Sequence, residues 1–92
     1  MVSEASIVVG RDIDAAVVLA DPRISRRHAC IERDGDDFFL EDLKSRNGTS
    51  LNGKTVGGRK PLRHGDRICL GGAVTLRVTL VNVGDTVDSG AV

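Results

Sequence analysis

The apolar residues of this chain come in short runs, and a turn signal closes each one. Ile7-Val8-Val9 stops at Gly10, and Val17-Val18-Leu19 stops before Asp21-Pro22. Phe38-Phe39-Leu40 follows Asp34-Gly35-Asp36-Asp37, Leu51 meets Asn52-Gly53, and Arg67 to Leu70 lies between His64-Gly65-Asp66 and Gly71-Gly72. An amphipathic helix needs apolar residues recurring at i, i+3 and i+4 over about ten positions or more, and these runs end sooner. Seventeen Val and Ile against eight Leu favour strands. Many short strands with turn signals roughly every 8–12 residues point to an all-β sandwich of two mainly antiparallel sheets, with its loops gathered at the two ends. A chain of 92 residues makes one small domain. Two Phe and no Trp or Tyr leave its core aliphatic.

The alternation places the elements. Ile7 to Val9 reads as a strand. Ile13 to Ala20 is ambiguous between a helix start and a short strand, and Asp21-Pro22 closes it because the residue before proline avoids the helical region. His28–Arg33 and Phe38–Leu43 form a hairpin, with Phe38, Leu40 and Asp42 on one face. Thr49–Leu51 and Lys54–Val56 flank Asn52-Gly53, a type I′ turn signal. Ser45–Gly48 and Gly57–Pro61 read as loops, and a last strand runs from Val74 to about Val83. The domain is therefore expected over 1–83, with a flexible polar tail over 84–92.

Thirteen basic residues balance thirteen acidic ones. Non-specific nucleic-acid binding normally needs a basic face, so no nucleic-acid partner is expected. The N-terminus has no basic region followed by an apolar one, and no apolar run approaches the roughly 20 residues of a membrane helix. The expectation is a cytoplasmic protein with no membrane partner. Cys30 and Cys69 are too few for a disulfide scaffold and read as free thiols.

The chemistry-bearing residues fall in the loops. Arg11 follows the first strand; Ser25-Arg26-Arg27-His28 comes next; Asn47-Gly48-Thr49 follows nineteen residues later. Forked guanidinium donors, a hydroxyl and a carboxamide suit a compact dianion such as phosphate. Of the adjacent arginines, Arg26 is assigned to the ligand and Arg27 to solvent or an ion pair. Each residue has a plainer role to set beside this one: Arg11 as a solvated cation, Ser25 as a turn or capping hydroxyl, Asn47-Gly48 as a simple turn. His28 with Cys30, His64 or Cys69 does not have zinc-like spacing. No nucleophile, base and orienting group stand together, so no enzyme and no cofactor is expected. His28 fits best as a residue pinning its loop by internal hydrogen bonds.

The ordered set Val9-Gly10-Arg11, Ser25-Arg26-Arg27-His28-Ala29, Leu40-Glu41-Asp42-Leu43, Ser45-Arg46-Asn47-Gly48-Thr49, Asn52-Gly53 and Leu62-Arg63-His64-Gly65-Asp66 resembles a forkhead-associated (FHA) domain, from about Ile7 to Val81. The resemblance implies a β-sandwich of about eleven strands that binds phosphothreonine peptides, as a partner module in Ser/Thr-kinase signalling. It implies that Arg11, Ser25 and Arg26 meet the phosphate and its neighbouring backbone, that Asn47 holds the peptide main chain, and that His28, Gly48 and Thr49 support the loops. Arg23 falls where some members read the side chain three residues after the phosphothreonine. Arg46 stands where the commonest form has Thr. By the same likeness Cys30 and Cys69 lie on different sheets, alternating outward. Members usually carry two strands before the Gly-Arg strand, whereas nine residues precede Gly10 here. That implies a sheet edge lacking its neighbours, in a monomer covered by its own tail or a strand-exchanged dimer. The alternative function is a structural or self-association domain of this fold without phosphate binding.

Overall fold

The computed structural model describes residues 5–80. Nine strands follow one another with no helix among the described residues. They are β1 (Ala5–Gly10), β2 (Val17–Val18), β3 (Ala29–Asp34), β4 (Asp37–Asp42), β5 (Thr49–Leu51), β6 (Lys54–Thr55), β7 (Lys60–Leu62), β8 (Arg67–Leu70) and β9 (Val74–Arg77). One sheet has the order β2-β1-β3-β4-β7 and the other β6-β5-β8-β9. Every pairing is antiparallel except β1 with β2.

The expected hairpin is β3–β4, with Asp34 opposite Asp37 and Ile31 opposite Leu40. Gly35 takes φ +65° in its turn. Asn52 and Gly53 both take positive φ, +51° and +87°, as a type I′ turn requires. Between the sheets lie Val9, Ile24, Ala29, Leu40, Val56, Leu62, Ile68 and Leu70, all buried. This core is aliphatic, and the two Phe rings pack only partly against it or lie outside it.

Four local expectations are settled or revised. In the ambiguous Ile13–Ala20 segment only Val17–Val18 is strand, paired in parallel with Val9-Gly10. Lys60–Leu62, expected at the end of a loop, is strand β7 and pairs with Phe38–Leu40. Pro61 is tolerated there because β7 is the edge of its sheet and one side needs no N–H. Cys30 and Cys69 do lie on different sheets and are free, but Cys30 is only 8% exposed, beside Ser6 Oγ at 3.1 Å. The last strand is assigned to Val74–Arg77, and Val78 continues it by exchanging backbone hydrogen bonds with Gly65 and Asp66. Residues 81–83 and the expected tail over 84–92 lie outside the described residues.

Candidate functional site

Four loops meet at one end of the sandwich: those after β1, before β3, between β4 and β5, and between β8 and β9. Backbone bonds join them. Arg11 N–H donates to the Ser25 carbonyl (3.0 Å), Asp12 N–H to the Arg26 carbonyl (3.1 Å) and His28 N–H to the Val9 carbonyl (3.0 Å). Gly71 N–H donates to the Gly48 carbonyl at 2.8 Å. Two glycines permit this closeness. A Cβ on Gly10 would stand 2.0 Å from the Arg26 carbonyl oxygen, and one on Gly71 2.6 Å from the Arg23 carbonyl oxygen.

Ile24 anchors the loop that carries the candidate ligands. It is 1% exposed, and burying such a side chain contributes roughly 1.5–3 kcal/mol. With Ile24 held inside, Arg23 is exposed at its side and Ser25 is half-buried. Arg26 and Arg27 follow, both exposed. Arg11 is exposed too, and its Nε–H donates to the Ile24 carbonyl at 2.9 Å, which lays the guanidinium along the loop.

His28 is fully buried. Ser25 N–H donates to its Nδ1 at 3.0 Å, so the ring proton sits on Nε2, which donates to the Gly48 carbonyl at 2.7 Å. One imidazole therefore ties the Ser25 loop to the Asn47-Gly48 loop, as the internal-pin reading expects. The same bonds argue against a catalytic pair, because Nδ1 takes the serine's backbone N–H. The hydroxyl of Ser25 instead accepts from Arg46 N–H at 2.9 Å. Among the described residues no three His, Cys, Asp or Glu side chains gather as a metal site would require.

Asn47 is exposed, and its Nδ2 donates to the Arg23 carbonyl at 2.9 Å. The carboxamide thus braces the neighbouring loop and offers Oδ1 outward. Gly48 takes φ +83°, and a Cβ there would meet nothing within 4 Å, so open space adjoins it. Arg46 is exposed. The structure gathers Arg11, Arg23, Ser25, His28, Asn47 and Gly48 into one bonded set, with Arg26 and Arg46 flanking Ser25.

Sequence reasoning gave Asp42 no role, and it holds the β4–β5 loop together. Thr49 Oγ1–H donates to its Oδ1 at 2.7 Å, Ser45 Oγ–H to Oδ1 at 2.5 Å and Ser45 N–H to Oδ2 at 3.1 Å. Burial alone raises the Asp42 carboxyl, but the bonds from Ser45 and Thr49 outweigh it and hold the group below the usual carboxylate range. The available signal was a carboxylate on the apolar face of a strand, among Phe38 and Leu40. Arg23 is also not free. Its Nε–H and Nη2–H donate to the two carboxylate oxygens of Asp21 at 3.1 and 3.0 Å. Hydrogen bonding to Arg23 lowers the Asp21 carboxyl, and the same side-chain bond raises Arg23.

Taken together, the loops gather exposed arginines and neutral polar groups at one end of the sandwich. The family model for the FHA domain matches residues 7–71. The FHA domain-containing protein FhaA of Mycobacterium tuberculosis is 44% identical over 68 residues, 74% of this chain and 13% of FhaA. A solved structure from work on phosphothreonine-dependent FHA domain interactions is 38% identical with a TM-score of 0.80, covering 89% of this chain and 83% of that one. The N-terminal FHA domain of Saccharomyces cerevisiae Rad53p, solved with a phosphothreonine peptide, is 29% identical with a TM-score of 0.76, covering 84% and 68%. The chain spans about a third or less of the length of the first curated relatives it matches.

Proposed function

This chain belongs to the FHA domain family, whose members are binding modules, and on that ground we propose that it binds phosphothreonine peptides and catalyses no reaction. The observation that carries the reading is the joining of Arg11-Asp12 to Ser25-Arg26 by paired backbone bonds, with His28 tying Ser25 to Gly48. Loops joined in this way support a reading in which the Arg11 guanidinium, the Ser25 hydroxyl and the Asn47 carboxamide share one ligand. A phosphate at pH 7 carries about −1.5 to −2 charges and three acceptor oxygens. In the proposed assignment Arg11, Ser25 and Arg26 take those oxygens, with Arg46 close by. Asn47 Oδ1 accepts a backbone N–H of the peptide, and the open space at Gly48 receives the threonine methyl.

Partners of this kind are substrates of Ser/Thr kinases, which makes kinase signalling in the cytoplasm the proposed setting. No helix among the described residues is long and apolar enough to cross a membrane.

Calorimetric titration with matched Thr, phosphothreonine and phosphoserine peptides tests the reading. A fitted methyl slot is worth about 1–3 kcal/mol, so phosphothreonine should bind about 5- to 150-fold more tightly than phosphoserine. Equal binding of the unphosphorylated peptide would overturn the function.

The alternative of a self-association domain without phosphate binding is not favoured by the FHA relatives, and β9 is the strand at which association would occur. This strand is the edge of its sheet among the described residues. Beside it opens a cleft of about 260 Å³ lined by Ile31, Phe38, Leu62, Ile68, Leu76 and Leu80. An open edge over core residues is a template for another strand. Sedimentation across a concentration range separates a monomer from a strand-exchanged dimer.

A further inference from the structure

We propose that Asp21 occupies Arg23 and so removes it as a reader of acidic residues flanking the phosphothreonine. The inference rests on the phosphopeptide reading above. Arg23 borders the site: its carbonyl oxygen accepts from Asn47 Nδ2, and Ile24 is all that separates it from Ser25. Its side chain is 61% exposed, so a ligand crossing Asn47 passes within its reach. An unpaired guanidinium there would attract a ligand carboxylate through a two-point fork.

Asp21 already fills that fork. Both carboxylate oxygens are engaged, at 3.1 Å from Nε and 3.0 Å from Nη2, and Oδ1 also accepts Arg23 N–H at 2.8 Å. The pair does not depend on two long side chains finding each other. Asp21 N–H donates to the Leu19 carbonyl, and the Asp21 carbonyl accepts Ile24 N–H at 2.9 Å, so the turn from Asp21 to Ile24 is bonded at both ends. Pro22 stiffens it further by fixing its own φ. A ligand carboxylate could reach only the outer edge of the guanidinium, and would approach a fixed carboxylate of its own sign. The Asp21–Arg23 pair is itself neutral, so the attraction that a free Arg23 would exert on a ligand carboxylate is suppressed.

Asp21→Asn is the informative substitution, because the amide oxygen keeps the acceptor for Arg23 N–H while the charge is lost. The probes are phosphothreonine peptides carrying Asp or Ala at each flanking position in turn, measured by fluorescence anisotropy, with a thermal melt of each variant. Arg23→Gln alone should leave the wild-type Asp-to-Ala affinity ratio unchanged at every position. In Asp21→Asn the ratio should rise by about two- to fivefold at one position, the range for an exposed ion pair. The rise should disappear in the Asp21→Asn, Arg23→Gln double variant. A wild-type preference for Asp that Arg23→Gln removes would overturn the proposal, as would an unchanged ratio in a folded Asp21→Asn variant. Absence of phosphate-dependent binding by the wild-type chain is a different failure: it sinks the underlying reading and this inference with it.

Discussion

Replacing His28 with Ala tests the structural logic of the site most directly. The ring is fully buried and makes two hydrogen bonds to different loops. The two partners do not suffer equally. The Gly48 carbonyl keeps the bond from Gly71 N–H, so it loses one of two donors, about 1 kcal/mol. Ser25 N–H loses its acceptor and is left unsatisfied, at roughly 1–3 kcal/mol. The vacated ring volume adds about 1–2 kcal/mol, toward the low end for core truncations because it lies under loops that can settle. The total is about 3–6 kcal/mol. A domain of this size has only about 5–10 kcal/mol in all, so the variant should be marginally folded. At about 4–8 °C per kcal/mol, its melting temperature should fall by at least about 12 °C. Scanning calorimetry reads the stability, and peptide titration well below the transition reads the binding. Phosphopeptide affinity should weaken only as far as the Ser25 loop loses order. A melt within a degree or two of wild type, with binding abolished, would refute the reasoning and make His28 a direct ligand.

Arg11→Ala should behave in the opposite way, because Arg11 is exposed, its Nε–H bond goes to a loop carbonyl, and its backbone bond to Ser25 survives the substitution. Affinity should fall by about 10- to 150-fold, the range for a lost bond to a charged group, while the melt stays nearly unchanged; calorimetric titration beside the melt checks both. Asp42 makes the domain acid-sensitive. Its carboxyl is held low in the folded state, so its contribution is complete above the ordinary value of about 3.9 and is lost as pH falls through the lower folded value. Melts taken from pH 6 downward should therefore show a steeper acid loss for wild type than for Asp42→Asn, and parallel curves would remove Asp42 from this role. Thiol labelling of the folded protein should modify Cys69 quickly and Cys30 slowly, with two thiols counted after unfolding; fewer than two thiols after unfolding under non-reducing conditions would contradict free cysteines.

The sequence by itself determined the strand class, most of the turns and which chemistry-bearing side chains fall in the loops. Those are short-range matters. Asn52-Gly53 forms its turn because both residues tolerate positive φ. The β3–β4 hairpin follows from alternation on either side of Gly35. Arg11, Ser25 and Asn47 each have a plainer role alone and stood out only as an ordered set. Strand β7 was hidden, since Lys60-Pro61 reads as a breaker unless the sheet order makes it an edge.

Contacts between distant segments were decided only by the tertiary structure. Gly71 lies beside the Arg23 carbonyl, 48 positions away in the chain, and nothing in its own neighbourhood requires a glycine for that reason. Asp42 became the acceptor for Ser45 and Thr49 because the β4–β5 loop folds back over it. Asp21 and Arg23 are two residues apart, yet only the folded turn shows their fork already closed. Local patterning selects conformations and puts the right groups on loops. Whether a group is free to meet a ligand depends on which neighbour the packed sheets bring to it first, and that is a property of the fold as a whole.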